Sequence, residues 1–534
     1  MGQPRQSKWL WAGWLLFVGL IFLPSVWFFV FTLGEAIIRP AATLFAGAGS
    51  ATRTLNLLAR SLILCAGATC LALILGTTTG WLTTRIAFRS RRLFFAALLL
   101  PFLLPGYIYA TAWIELLAPA LPAGDTAPPR SMVYSLWSAT LLLALHLYPW
   151  VHLVAGAGFA SIEGHLEDAA RLALNGPTRL VRITLPLLAG VLAPAALFVF
   201  VIGLKSHNIP MLLRQSVFAT EIMIAYEALA DDRGAALKGL LCVAVSLVGL
   251  GLALWVALRR RRIAVEGISS PWQDSAIPTR VGAMIAATIA AVILALAVAL
   301  PIAVLTRTAG AWSNYALVWK SAWPQVVNSL ITASAVATLS LILGFLLAEQ
   351  IVRSGRLLAA LTVSALFMLF ALPAPVLDLG LIRFWNRPGP MGWVYDSPAM
   401  LVLGQTATFL PIAVLGLSVA LRRIDPRLIE AAELAGLPWQ TIALRILAPI
   451  LRVWLLGVWT VVFVLSLNDA DSAVLLAPAG LATLSVRIMT LLHYAPDAQV
   501  SALCIIQVVL TATTIGLVAI AAAVSRKAMQ RKSV

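Results

Sequence analysis

Twelve apolar runs, each eighteen residues or longer, divide this sequence and leave few options for what it can fold into. They are Leu10–Leu33, Leu58–Trp81, Leu93–Trp113, Val133–Leu153, Leu187–Leu204 and Gly239–Leu258 in the first half. The second half holds Val281–Leu305, Leu330–Ala348, Leu357–Leu377, Met400–Leu421, Ile450–Leu467 and Val500–Val524. A hydrocarbon core is roughly 30 Å thick, and a helix of about twenty apolar residues crosses it. In lipid every backbone N–H and C=O must be satisfied within the protein, so only helices or closed barrels span it. Runs this long and continuously apolar predict helices, because barrel strands alternate over about ten residues. The expected fold is therefore all-α, a polytopic membrane protein with about twelve transmembrane helices. Composition agrees, with 61% hydrophobic and 11% charged residues, well outside the globular range.

A net charge of +17 would point to nucleic acid in a soluble protein, but here charge first sorts by side of the membrane. With the N-terminus placed in the cytoplasm, most basic residues fall at inner ends and loops, among them Arg85, Arg91, Arg92, Arg353, Arg356, Arg422 and Arg423. Asp125, Asp231, Asp232, Asp396, Asp469, Asp471 and Asp497 fall on the other side. Both termini are expected inside. The cluster Arg259–Arg262 reads as a topological anchor beside membrane lipid, with no nucleic-acid role. The run from Leu10 is too long for the apolar core of a cleaved signal and is read as the first span. Cys65, Cys70, Cys242 and Cys504 lie in apolar segments without paired spacing, which predicts neither disulfides nor a zinc site.

The two halves repeat. A shift of 268 lays Ser61-Leu62-Ile63 on Ser329-Leu330-Ile331, Leu73-Ile74-Leu75-Gly76 on Leu341-Ile342-Leu343-Gly344, and Leu104-Pro105 on Leu372-Pro373. A shift of 262 then aligns Pro149 with Pro411, Ile162 with Ile424 and Ala169-Ala170 with Ala431-Ala432. Six spans are an even number, so both copies start on the same side and the repeats run parallel. This predicts one six-span domain over residues 1–262 and a second over 263–534.

Each half carries a polar stretch between its fourth and fifth spans, on the expected cytoplasmic side. The second reads RLIEAAELAGLPWQTIALRILAP from Arg427 to Pro449, and the first HLEDAARLALNGPTRLVRITLP from His165 to Pro186. In each, a short Ala-containing helix breaks, at Gly436-Leu437-Pro438 or Asn175-Gly176-Pro177, and a second short helix is expected to end at Pro449 or Pro186. Asp425 before Pro426 is a good N-cap and first-turn pair. Small residues on one face let another backbone approach, while Leu437 and Trp439 offer apolar anchors and Glu430 a charge.

Glu430-Ala431-Ala432 followed by Gly436, Ile446 and Pro449 resembles the EAA loop of bacterial ABC importer permeases, the inner-membrane components of binding-protein-dependent transport. The loops span residues 423–449 and, in the first half, 161–186. The resemblance implies that each docks into one of two cytoplasmic ATPase subunits through Glu430, Ala431, Ala432, Gly436, Leu437 and Trp439, and through Glu167, Asp168, Ala169 and Ala170. The first copy departs from the pattern, with Asp168 or Glu167 in place of the Glu, Ala173 or Leu174 at the expected Gly, and one residue fewer before Pro186. It further implies a solute-binding protein outside, and a permease that is not itself an enzyme. No Gly-x-x-x-x-Gly-Lys-Ser/Thr phosphate loop occurs in the sequence, so hydrolysis would belong to a separate subunit.

The fused two-domain layout narrows the family. The segments Asn208–Leu229, with its Ile-Pro-x-Leu-Leu stretch, and Ala482–Cys504, with Leu-His-Tyr, resemble ferric-iron permeases; thiamine and phosphonate permeases share the layout. Ferric iron favours hard oxygen ligands, and polar residues near the spans are few. Asp378, Tyr107, Tyr109 and His146 are the candidates for the translocation pathway, since an ionisable group at membrane depth is a functional candidate; Asp378, which follows the helix-breaking Pro373 and Pro375, reads equally as a helix–helix contact, and His146 as a buried hydrogen-bonding partner. Glu115 reads as solvated at the outer interface. No dense carboxylate or histidine cluster appears, which predicts neither a resident metal nor another cofactor. A secondary transporter can also have twelve spans in two repeats, but it needs no ATPase-docking loop.

Overall fold

The structure, a computed structural model, describes residues 8–27, 51–86, 88, 90–117, 132–162, 172–227, 232–259, 280–492 and 494–530. Among these, nine helices are long and apolar enough to cross a membrane, from Thr52–Arg85 to Asp497–Ala523. Two further pairs, Arg91–Phe102 with Gly106–Leu117 and Arg356–Ala371 with Ala374–Trp385, pass the same test together but are sharply bent, the second by 109°. A shorter apolar helix covers Trp11–Trp27. Among the described residues every apolar run of the sequence overlaps one of these elements, and the fold is an all-α polytopic membrane protein.

Two expected spans, Leu93–Trp113 and Leu357–Leu377, are thus broken rather than straight. Pro105 and Pro373 sit at the breaks. Proline lacks the N–H that continues the ladder, and the residue before it is pushed out of the α region: Leu104 (ψ 109°) and Leu372 (ψ 133°) are both extended. Elsewhere helices run on past the expected ends. Trp312–Arg353 has 42 residues, about 63 Å at 1.5 Å per residue, so it projects beyond the hydrocarbon.

Contacts divide the chain into two compact units, one of residues 45–308 and one of residues 1–44 with 309–534. In the first, Ala51–Arg85 packs along Leu136–Ser161. A Cβ on Gly76 would lie 2.7 Å from the His152 backbone nitrogen, so only hydrogen there permits this approach. Small residues take this role in membranes because lipid tails supply no hydrophobic drive and close van der Waals contact must hold helices together. Ala286, from the helix that opens the second half of the sequence, is buried against Leu82 and Ile86 of this unit.

In the second unit Trp312–Arg353 packs on Pro398–Leu421 and Ala448–Leu467, around a core that includes Val336, Ala413, Val462 and Phe463. Gly344, 268 residues after Gly76, meets Ala413. The Trp11–Trp27 helix belongs here: a Cβ on Gly380 would lie 2.8 Å from the Ser25 carbonyl carbon. One further contact occurs in both units at matching positions. Ser61 Oγ accepts from the Phe218 N–H at 2.7 Å, and Ser329 Oγ from the Leu484 N–H at 2.7 Å.

Candidate functional site

The stretch from Asp425 to Trp439 is built from local rules. Asp425 accepts from the Arg427 N–H at 3.0 Å, with Pro426 at the first helical position, and so starts the helix Pro426–Leu434. At its other end Gly436 takes φ +74°. Its N–H donates to the Glu433 carbonyl (3.0 Å) and that of Leu437 to the Ala432 carbonyl (3.2 Å). This pair of bonds is the Schellman ending, in which a left-handed residue lets the chain turn back on its last carbonyls. Pro438 follows in extended conformation and caps the next helix, which starts at Trp439.

The expected second short helix does not end at Pro449. From Trp439 the chain stays helical to Leu467, through a π-helical stretch Ile442–Leu447. The wider turns just before Pro449 give the proline room without a break. The first half does the same, with Leu180–Thr184 π-helical ahead of Leu185–Lys205.

Glu430, Ala431, Gly436 and Leu437 are exposed, and Ala432 is buried. Leu428 and Leu434 of the same helix are exposed as well, the latter 90% accessible. Trp439 is turned the other way. Its indole N–H donates to Glu349 Oε1 at 2.5 Å, and its ring stands 6.4 Å from that of Phe345. Glu349 Oε1 also accepts from Arg353 Nη1 at 3.0 Å, and Arg353 Nη2 donates to Glu433. Sequence reading missed Glu349, Arg353 and Glu433; the available signal was an i, i+4 Glu-Arg pair at a helix end. Glu167, Asp168, Ala169 and Ala170 lie outside the described residues.

Of the pathway candidates, Tyr107 and Tyr109 are fully buried on Gly106–Leu117, and Tyr109 stands 6.0 Å, ring to ring, from half-buried His146. Asp378 belongs to the other unit. It is fully buried on Ala374–Trp385, and neither carboxylate oxygen has a hydrogen-bond partner among the described residues. A Cβ on Gly404 would lie 3.0 Å from Asp378 Oδ1, so that glycine keeps room for the carboxylate.

The same unit holds a polar chain that sequence reading did not single out. Ser466 Oγ donates to Gln405 Oε1 (2.6 Å), Gln405 Nε2 to Asp469 Oδ2 (3.0 Å), and Gln507 Nε2 to Asn468 Oδ1 (3.1 Å). Asp469 lies between helices; burial, helped by neighbouring Asp471, pushes its carboxyl up to about 7. Gln405 lies 64 residues before Asp469 and Gln507 39 after Asn468, so no local spacing reveals these contacts. No group of three or more His, Cys, Asp or Glu suited to holding a metal occurs among the described residues.

Fold and loop together define a polytopic helical membrane protein with a capped, bent loop at the end of its bundle. No family model matches the chain. It is similar to the ferric transport system permease protein FbpB of Actinobacillus pleuropneumoniae, at 24% identity over 493 residues, covering 87% of this chain and 71% of that protein. It is also similar to a Haemophilus influenzae protein given, provisionally, the name ferric transport system permease protein FbpB 1, at 24% over 435 residues, covering 76% and 68% respectively. The resemblance to ABC permeases of ferric-iron type read from the sequence is borne out by these relatives.

Proposed function

We propose that the chain is the permease subunit of an ATP-driven, binding-protein-dependent importer of ferric iron in a bacterial inner membrane. The observation that carries this reading is the bend at Gly436, which holds Glu430, Leu434 and Leu437 on an exposed knob in a chain whose relatives are named as ferric transport permeases. Exposed leucines near a carboxylate on a bent loop suit a cleft on a second protein. Two ATPase subunits would take the loops 423–449 and 161–186 from the cytoplasm, with both termini on that side. Their closing and opening would move the two loop-bearing units, residues 45–308 and residues 1–44 with 309–534, between inward- and outward-facing states; the six-span repeats themselves are proposed as 1–262 and 263–534. The matching serine bonds at Ser61 and Ser329 support this twofold arrangement.

Ferric iron would arrive on a solute-binding protein outside and cross as cargo. Asp378, Tyr107, Tyr109 and His146 are proposed as residues it meets. Asp378 has the clearest chemistry: a buried carboxylate without hydrogen bonds is costly as an anion unless a cation accompanies it. Nucleotide chemistry stays with the ATPase subunits.

The test is co-purification of the detergent-solubilised chain with its ATPase subunit. Wild type is expected to retain the subunit, and Glu430→Lys to lose most of it while inserting normally, because insertion depends on span hydrophobicity and flanking charge. A chain that binds no ATPase and transports under an ion gradient alone would be a secondary transporter, and the proposal would fall.

A further inference from the structure

The docking reading leaves open how displacement of the second loop reaches the transmembrane helices, and the inference here rests on that reading. We propose that Glu349, Arg353, Glu433 and Trp439 form a latch that ties both arms of the loop to the end of the Trp312–Arg353 helix and passes loop movement to it.

The geometry is specific. Phe345, Glu349 and Arg353 recur every four residues, so they line one face of that helix. Against this face the loop places Glu433, before the Gly436 bend, and Trp439, after it. Arg353 donates to Glu349 and to Glu433 through different nitrogens. A planar guanidinium presents several donors in a fixed fork and can hold two carboxylates at once, which a lysine ammonium does with less definition. Glu349 is only 1% exposed. A buried carboxylate needs its charge paired and its oxygens hydrogen-bonded, and here the loop's own indole supplies one of those bonds. Moving the loop away from the helix would strip Glu349 of the Trp439 N–H and Arg353 of Glu433 together. The cheaper response to a pull on the loop is for the helix end to follow.

Arg85, 268 residues before Arg353, donates to the backbone carbonyls of Phe159 (2.6 Å) and Ile162 (3.3 Å) at the end of Leu136–Ser161. Position 81, the counterpart of Glu349, is a tryptophan. The arginine is thus present in both halves, and position 81 offers no carboxylate in place of Glu349.

The test uses the complete complex of chain, ATPase subunits and solute-binding protein in proteoliposomes, measuring ferric iron transported per ATP hydrolysed. Arg353→Lys keeps the charge without the fork, Glu433→Gln removes one carboxylate, and Trp439→Phe keeps the ring without the N–H. Arg353→Lys and Glu433→Gln are expected to retain ATPase-subunit association, all three variants to keep wild-type thermal stability within a few degrees, and iron per ATP to fall about fivefold in each. Because the residues act as one network, Arg353→Lys with Glu433→Gln should lose about the same factor as either alone. Unchanged iron per ATP in the three single variants would overturn the latch. So would losses that multiply in the double variant, which mean independent effects, and so would loss of ATPase association in Arg353→Lys or Glu433→Gln, which makes these residues docking contacts. The docking reading fails on a separate result, a wild-type chain that transports without the ATPase subunits.

Discussion

Gly436 offers the sharpest mutational test of the loop, because its environment separates backbone conformation from crowding. Its φ of +74° lies in the left-handed region, yet a Cβ built there meets nothing within 4 Å. A larger side chain therefore pays only for conformation. For an L-residue that cost is roughly 1–2 kcal/mol, at the upper end for a β-branched side chain, whereas asparagine visits the region readily. At about 1.4 kcal/mol per tenfold, Gly436→Val should cut the ratio of bent to unbent loop by roughly 5- to 30-fold. If the ATPase subunit binds only the bent form, its apparent Kd rises by up to that factor, as far as the bent form ceases to be the major one. Titrating labelled ATPase subunit onto the solubilised chain should show that rise for Gly436→Val, a change within about threefold for Gly436→Asn, and little shift in thermal unfolding of the bundle for either. Equal impairment by Asn and Val would mean that the partner needs empty space at this position rather than the bend. Wild-type affinity in Gly436→Val would refute the reasoning.

Other outcomes follow from the packing and charge. Gly380→Ala should destabilise the fold severely, since its Cβ would press on the Ser25 backbone and backbone cannot give way as a side chain can; thermal unfolding in detergent measures it against Gly457→Ala, where a Cβ meets nothing within 4 Å. Asp469 binds its proton more tightly folded than unfolded, so its contribution is fully present below the ordinary carboxylate pKa and is lost as pH rises toward and through about 7. Thermal stability should therefore decline over that window, and Asp469→Asn should flatten the decline. In a background without the four native cysteines, a cysteine at Arg427 should resist impermeant thiol reagents applied outside while one at Asp396 is labelled; the reverse pattern would overturn the orientation.

Legibility tracked range along the chain. The spans were readable because lipid imposes one requirement on every residue of a run, and the Asp425 cap and Gly436 bend because caps and left-handed turns are decided by a few adjacent residues. The break at Pro373 was legible from Pro373 and Pro375, whereas at Pro105 the length of the apolar run made it look like one straight span. Pro449 misled for the opposite reason: a π-helical stretch absorbs it, and the sequence carries no separate sign of that wider turn. Glu349 was hidden inside a long apolar helix and became meaningful only when Trp439, ninety residues later, was brought against it. The Gln405, Ser466, Asp469 and Gln507 contacts were illegible for the same reason, being made across helices whose order in space the sequence does not state.

The central claim is that ATP hydrolysis by a partner drives ferric iron through this chain, and uptake into proteoliposomes tests it most directly. Vesicles holding the chain with its ATPase subunits and enclosed ATP, given the iron-loaded binding protein outside, should accumulate ferric iron. Uptake should stop when ATP is replaced by a non-hydrolysable analogue or the binding protein is withheld, and should persist when ionophores collapse ion gradients. Accumulation that proceeds without ATP and vanishes with the ionophores would contradict the account.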